Sequence, residues 1–210
     1  MNLSLRNASR SNRLQRTIAS LCLLTLPIAA LAAKHPAADT AATGASSTVA
    51  IIHANLVPMD SNHLLADQTV ITRGDRIVSV GATGQVKVPA DSQVIDATGK
   101  YLLPGFTTTH EAAAQGQLPS YLAPGSAVQQ QLRAYVAAGH TPYQALRTVT
   151  VDPARAAHQS DDCGTIAKGR RADLLLLTAN PLADVANTQR VNGVMFAGRW
   201  MTPSSMVNGN

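Results

Sequence analysis

The stretch GKYLLPGFTTTHEA, residues Gly99 to Ala112, decides how the rest of the chain is read. Tyr101, Leu102 and Leu103 form an apolar run with strand character. Pro104 has no N–H to give to a sheet ladder, and Gly105 frees the backbone to change direction. A strand therefore ends here and a new element starts at Phe106. That element delivers His110, with Glu111 beside it.

Upstream of this stretch the chain reads as short strands. Val49 to Val57 (VAIIHANLV) is rich in β-branched and apolar residues and stops at Pro58-Met59-Asp60. Gln68 to Thr72 and Arg76 to Val80 form a β-hairpin about Arg73-Gly74-Asp75, where the glycine can take positive φ. Gly81 to Gly84 and Pro89 to Ser92 are turns, and Gln93 to Ala97 is a further strand before Thr98-Gly99-Lys100 leads into the deciding stretch. Such spacing fits a small sandwich or open sheet and not a βαβ pattern. His53 lies within the first strand, and no other Cys, His or acid stands at ligand spacing from it. It therefore reads as a solvated or hydrogen-bonded strand residue and not as a metal ligand.

Downstream, Glu111 to Gly125 is polar, broken by Gly116, Pro119, Pro124 and Gly125, and reads as loop. Val128, Leu132, Tyr135 and Val136 then recur at helical spacing, which predicts an amphipathic helix over Ser126 to Ala138, ended by Gly139. A second helix is predicted over Thr141 to Val149, with Thr141 as cap and Pro142 in the first position. A third is predicted over Asp152 to His158, with Asp152 as cap and Pro153 in the first turn. Strands return at Gly164-Thr165-Ile166 and at Ala172 to Leu177, with a turn at Lys168-Gly169-Arg170 between them. The last strands run from Gly193 to Met201, with Gly198-Arg199 as a hairpin turn.

Two sets of residues now carry a resemblance. HTPYQALRTVTVDPARAAH, GTIAKGRRADLLLLTANPL and NGVMFAGRWM are similar to the carboxyl end of the metal-dependent amidohydrolase superfamily, imidazolonepropionase-like members included. There the pattern is G-L-T-P-x-E-A-L-x-A-x-T-x-N-P-A-x-x-L-G, then G-x-I-x-x-G-x-x-A-D-L-V-x-L and a closing V-x-x-V-x-x-x-G. The deciding stretch resembles the entry to that family's barrel, where K-x-(V/L)-(L/M)-P-G is followed by L-I-D-x-H-x-H and both histidines bind metal. Phe106 and Thr107 match the apolar positions, Thr108 stands where Asp is usual, and His110 matches the first histidine. Ala112 stands in place of the second.

The resemblance implies an α+β fold: the composite β-sandwich domain of the amidohydrolases with a few terminal helices, lacking a complete TIM barrel. A full barrel needs about 250 residues, whereas only Glu111 to Ser126 separate the first-strand histidine from the last barrel helix. In the family one or two divalent ions are held by the paired histidines, often a carboxylated lysine, two further histidines and an aspartate that acts as general base. LPSYLAPG, where that aspartate should lie, contains no acid. His110 alone has a counterpart and is expected to be a vestigial metal ligand. His140 and His158 fall outside the metal positions and read as surface residues. Asp173 reads as a structural acceptor of backbone N–H groups and not as a catalytic acid. No catalytic residue is assigned, and no cofactor is expected to bind stably; zinc or another divalent metal belongs to the parent family.

The chain's 17 Lys and Arg against 12 Asp and Glu give +5 and a pI near 9.6. Four of those arginines (Arg6, Arg10, Arg13, Arg16) precede any acid, and removing them leaves thirteen basic against twelve acidic residues, a net of +1. The basicity thus belongs to a leader, and no nucleic-acid partner is expected. An apolar segment from Ile18 to Ala33 follows the arginines and ends in Ala30-Leu31-Ala32, the pattern of a secretory signal peptide cut after Ala32 or Ala33. Pro27 interrupts it, and it is shorter than the roughly 20 residues of a spanning helix. Cys22 follows Leu21 and so lacks the small residue that a lipoprotein signal requires. Cys163 is then the only cysteine of the mature chain, and one cysteine forms neither an internal disulfide nor a zinc cluster.

The expected organisation is a signal peptide at 1–33, a flexible linker at 34–48 and the N-terminal part of the composite β-domain at 49–106. A barrel remnant of loop plus helices follows at 107–162, then the C-terminal part of the β-domain at 163–201 and a tail at 202–210. The halves should share one β-assembly, because neither set of strands has enough apolar residues to cover both faces. The reading is of a secreted or periplasmic amidohydrolase-family protein, a catalytically incomplete remnant of a metal-dependent hydrolase of carbon–nitrogen bonds, with a small-molecule substrate only if active. One alternative is an active hydrolase whose metal, bound by His110 and Glu111, is completed by a second subunit, although adjacent residues on an extended segment face opposite ways. The other is an exported binding module that self-associates through apolar surface the barrel would cover.

Overall fold

Strand β1 (Thr48–Leu56) has different neighbours along its two halves, and the sheet is arranged around that change. The computed structural model describes residues 47–107 and 125–203, which belong to the unit Thr43–Asn210. On one side β1 pairs antiparallel with β2 (Leu65–Arg73), which turns at Gly74-Asp75 into β3 (Arg76–Ala82). On the other side Val49 to Ile52 pair in parallel with β4 (Gln93–Asp96), and Asn55 and Leu56 with β5 (Tyr101–Pro104). The changeover falls at His53, whose φ of 59° accompanies a register shift between Ile51 and Ala54. Such a bulge bends a strand and re-aims it.

From β5 the sheet continues antiparallel through β6 (Leu174–Leu177), β7 (Val191–Phe196) and β8 (Arg199–Met201). The two ends of the chain thus meet in one mixed eight-stranded sheet at the β5–β6 ladder, from Tyr101↔Leu177 to Pro104↔Leu174, as the sequence predicts. Pro104 is tolerated because it is the last residue of its strand.

Alternation in these strands feeds two cores. Leu102, Leu174, Leu176 and Met195 pack with Val49, Ile51, Val70 and Ile77, so the sheet curls until β2 and β3 face β6 and β7. Leu103, Leu175, Leu177 and Val194 point the other way, onto Leu132, Leu146 and Val149 of the helical segment. Each face of β6 therefore has its own core, which explains a strand of four consecutive leucines, all buried.

The helices are α1 (Ala127–Ala137), α2 (Pro142–Arg147) and α3 (Val151–Ala156). Ser126 caps α1 by accepting the Gln129 N–H at 3.3 Å. Thr141 and Gln144 form a reciprocal capping box around Pro142 at the start of α2. Four sequence expectations need correction. Asp152 is not a cap: it sits inside the first turn of α3, because its carboxylate is engaged by Arg147 at 2.8 Å and the cap position belongs to Thr150. Tyr135 is exposed and stacks on His140 at 4.6 Å between ring centroids, while Gln129 takes a buried place, held by the Thr188 hydroxyl. Gly164 to Ile166 forms no strand; Ile166 gives its N–H to the Pro58 carbonyl instead of entering the sheet. The β7–β8 turn is Ala197-Gly198, one residue earlier than predicted, because Asp173 accepts the Ala197 N–H and holds that alanine at φ 45°. A 3-10 helix at Val185–Gln189, capped by Asp184, has no counterpart among the predicted elements.

Candidate functional site

The segment that leaves β5 is pinned from both sides before it reaches the histidine. Gly105 donates its N–H to the Asp173 carbonyl at 2.8 Å, and a Cβ there would come within 3.3 Å of the Asp173 backbone, so a side chain would crowd this approach. Phe106 is buried in the core beneath the helices. Thr107 donates its N–H to the Val149 carbonyl at 2.9 Å and its hydroxyl to the Thr150 carbonyl at 2.6 Å, at the junction of α2 and α3. The direction of the chain is therefore set jointly by β6 and by the helices. His110, Glu111 and Ala112 lie outside the described residues.

Asp173 does what the sequence expects of it. Its Oδ1 accepts the Ala197 N–H at 2.7 Å, and its Oδ2 lies 3.0 Å from the Arg171 guanidinium. The preceding residue extends the clasp, for Ala172 donates to the Asp75 carbonyl and accepts from Gly198. Ala172-Asp173 thus ties the β2–β3 turn, the β7–β8 turn and the exit of β5 to one point. A carboxylate so committed is a structural acceptor. Beside it Arg76 reaches Asp162, and that bond raises the guanidinium further above its ordinary value.

The remaining chemistry-bearing residues are dispersed. Burial pushes the Cys163 thiol up, away from the thiolate form that a nucleophile or metal ligand needs. His53 is half exposed and bonds Asp67 at 2.8 Å, as expected of a hydrogen-bonded strand residue. Asp67 itself carries no signal in the sequence, since it reaches His53 only because both residues take positive φ at facing irregularities. His63 contacts Ser61 and lies 3.6 Å from Asp60. His140 and His158 are exposed, as predicted. Among the described residues no group of three or more His, Cys, Asp or Glu is placed to hold a metal ion. A catalytic zinc asks for about three protein ligands, and this donor set does not fit one.

Comparison with known proteins accounts for the architecture. Structures of molinate hydrolase (TM-score 0.63, 13% identity, 79% of this chain and 97% of that one) and phenylurea hydrolase B (0.60, 11%, 78% and 99%) share the fold; at such identities the likeness is one of fold alone. The adenine deaminase of Rubrobacter xylanophilus is 37% identical over 73 residues, which are 35% of this chain. That match spans only 12% of the deaminase. The sequence profile of the amidohydrolase family matches residues 87–201, more than half of the chain, from β4 through β8. The chain belongs to the amidohydrolase family.

Proposed function

We propose that the protein is an exported amidohydrolase-family remnant, built on the composite β-domain and its terminal helices, without independent hydrolase activity. Family members generally bind divalent metals, and the parent chemistry is metal-assisted attack of water on a carbon–nitrogen bond. The observation that carries the reading is the connection between β5 and α1. Thr107 and Ser126 are both anchored in the helical layer, and the chain between them offers His110 and Glu111 as its only His, Cys, Asp or Glu. So short a connection leaves no room for the remaining strands of a (β/α)8 barrel. Export is supported by the arginine-rich start and the apolar segment behind it, and the exported location is secreted or periplasmic.

The test is a screen of the purified mature protein against cyclic amides, dipeptides and esters with added zinc or manganese, alongside metal analysis after dialysis. The expected outcome is no turnover and no stoichiometric metal. Turnover that disappears in His110→Ala, or zinc that survives dialysis at one ion per chain, would overturn the proposal.

A further inference from the structure

Away from the β5 exit, a groove of about 550 Å³ opens between β4 and the β7–β8 hairpin, a size within the usual range for small-molecule sites. Val94, Ile95, Trp200 and Pro203 line it, with Asp96, Asn192 and Thr202 as polar members. Trp200 is the only tryptophan of the chain. Its indole is seated on bare backbone: a Cβ on Gly193 would lie 2.2 Å from the ring, so the glycine is what lets the indole lie against β7. Asp96 is oriented by Thr98, whose hydroxyl (2.6 Å) and N–H (2.9 Å) both bond its Oδ1 and hold the carboxyl below its ordinary value. The nearby Lys100 ammonium bonds the Asp96 main-chain carbonyl, at 3.1 Å.

We propose that this groove binds small organic cations with an aromatic ring, the ring lying against Trp200 and the ammonium or amidinium group facing Asp96. The carboxylate attracts the positive group through charge, and the indole offers a flat apolar face against which the ligand's ring can stack. Val94, Ile95 and Trp200 then offer apolar contact to a ligand whose remainder is a hydrocarbon ring. An anion would meet Asp96, and a neutral ring would lose the charge contribution.

Because Trp200 is the sole tryptophan, its emission reports on the groove in the full-length protein without labelling. Titration with benzamidine should give a saturable change in that emission, and benzamide, of similar shape but neutral, should bind more weakly. Asp96→Asn should weaken benzamidine roughly fivefold, the scale of one exposed ion pair, while leaving benzamide unaffected. A change that is linear in benzamidine and matches that of free N-acetyltryptophanamide would overturn the proposal, as would equal binding of the two ligands. If the Asp96 variant does not fold, the comparison of benzamidine with benzamide on the unaltered protein still decides the matter.

Discussion

Gly198 shows how much of the closure of the sheet rests on a single residue. A Cβ at this position would lie 1.6 Å from the Gly74 carbonyl oxygen, so the β7–β8 turn touches the β2–β3 turn backbone to backbone. Gly198 also has a φ of 77°. Gly99 has nearly the same backbone, φ 73°, with nothing within 4 Å of the place a Cβ would take. The two positions therefore separate the cost of a left-handed alanine from the cost of a clash. Gly99→Ala should lower stability by about 1 kcal/mol, and Gly198→Ala by on the order of 3–5 kcal/mol, read as urea midpoints at unchanged slope. Equal losses would show that the two turns are not in contact in solution. At this scale the sequence shows some roles and hides others. Asp173 is legible because an acid opening an apolar run has few partners other than backbone. The His53–Asp67 pair is not, because it depends on two coincident bulges that interrupt the two-residue period on which strand reading relies.

The elements are legible where periodicity and capping agree. Thr141 does the capping expected of it, Ser126 caps the helix that the period starts there, and LLLL announces a strand buried on both faces. Errors cluster where tertiary partners outweigh local preference. Gln129 is buried and Tyr135 exposed because α1 packs beside the 3-10 helix, whose Thr188 offers Gln129 a hydrogen bond that no helical period foretells. Asp152 has the residue type and the following proline of a cap, yet Arg147 reaches it from the preceding helix. These two assignments lead to different energetics. Thr141→Ala removes a capping box and should cost about 1 kcal/mol. Asp152→Ala removes only a partly exposed ion pair and should cost roughly 0.2–1 kcal/mol, with the loss shrinking at high salt. Thermal denaturation at two salt concentrations distinguishes them. A salt-insensitive loss at Asp152 as large as that at Thr141 would restore the capping role.

Across the whole molecule, two parts of the chain separated by the helical segment build one sheet, and each depends on the other for its core. The first half supplies Val49, Ile51, Val70 and Ile77, and the second supplies Ile166, Leu174, Leu176 and Met195, all in one buried cluster. Removing residues 163–210 would also unpair β5 along its whole ladder with β6 and leave Leu102 and Leu103 without their cover. Each large apolar side chain buried is worth roughly 1.5–3 kcal/mol, and a domain of this size has only about 5–15 kcal/mol of net stability. Losing four such side chains therefore takes away as much as the fold possesses. What is left of the sheet, β1 to β5, retains the β1–β2 ladder and the short pairing of β5 with β1, but its inner face would lie open to water. The expected outcome for a chain ending at residue 162 is loss of β circular dichroism together with loss of a cooperative melt, and not a stable smaller sheet. A fragment that kept a cooperative transition would show that β1 to β5 fold by themselves and that the second half merely docks onto a finished surface.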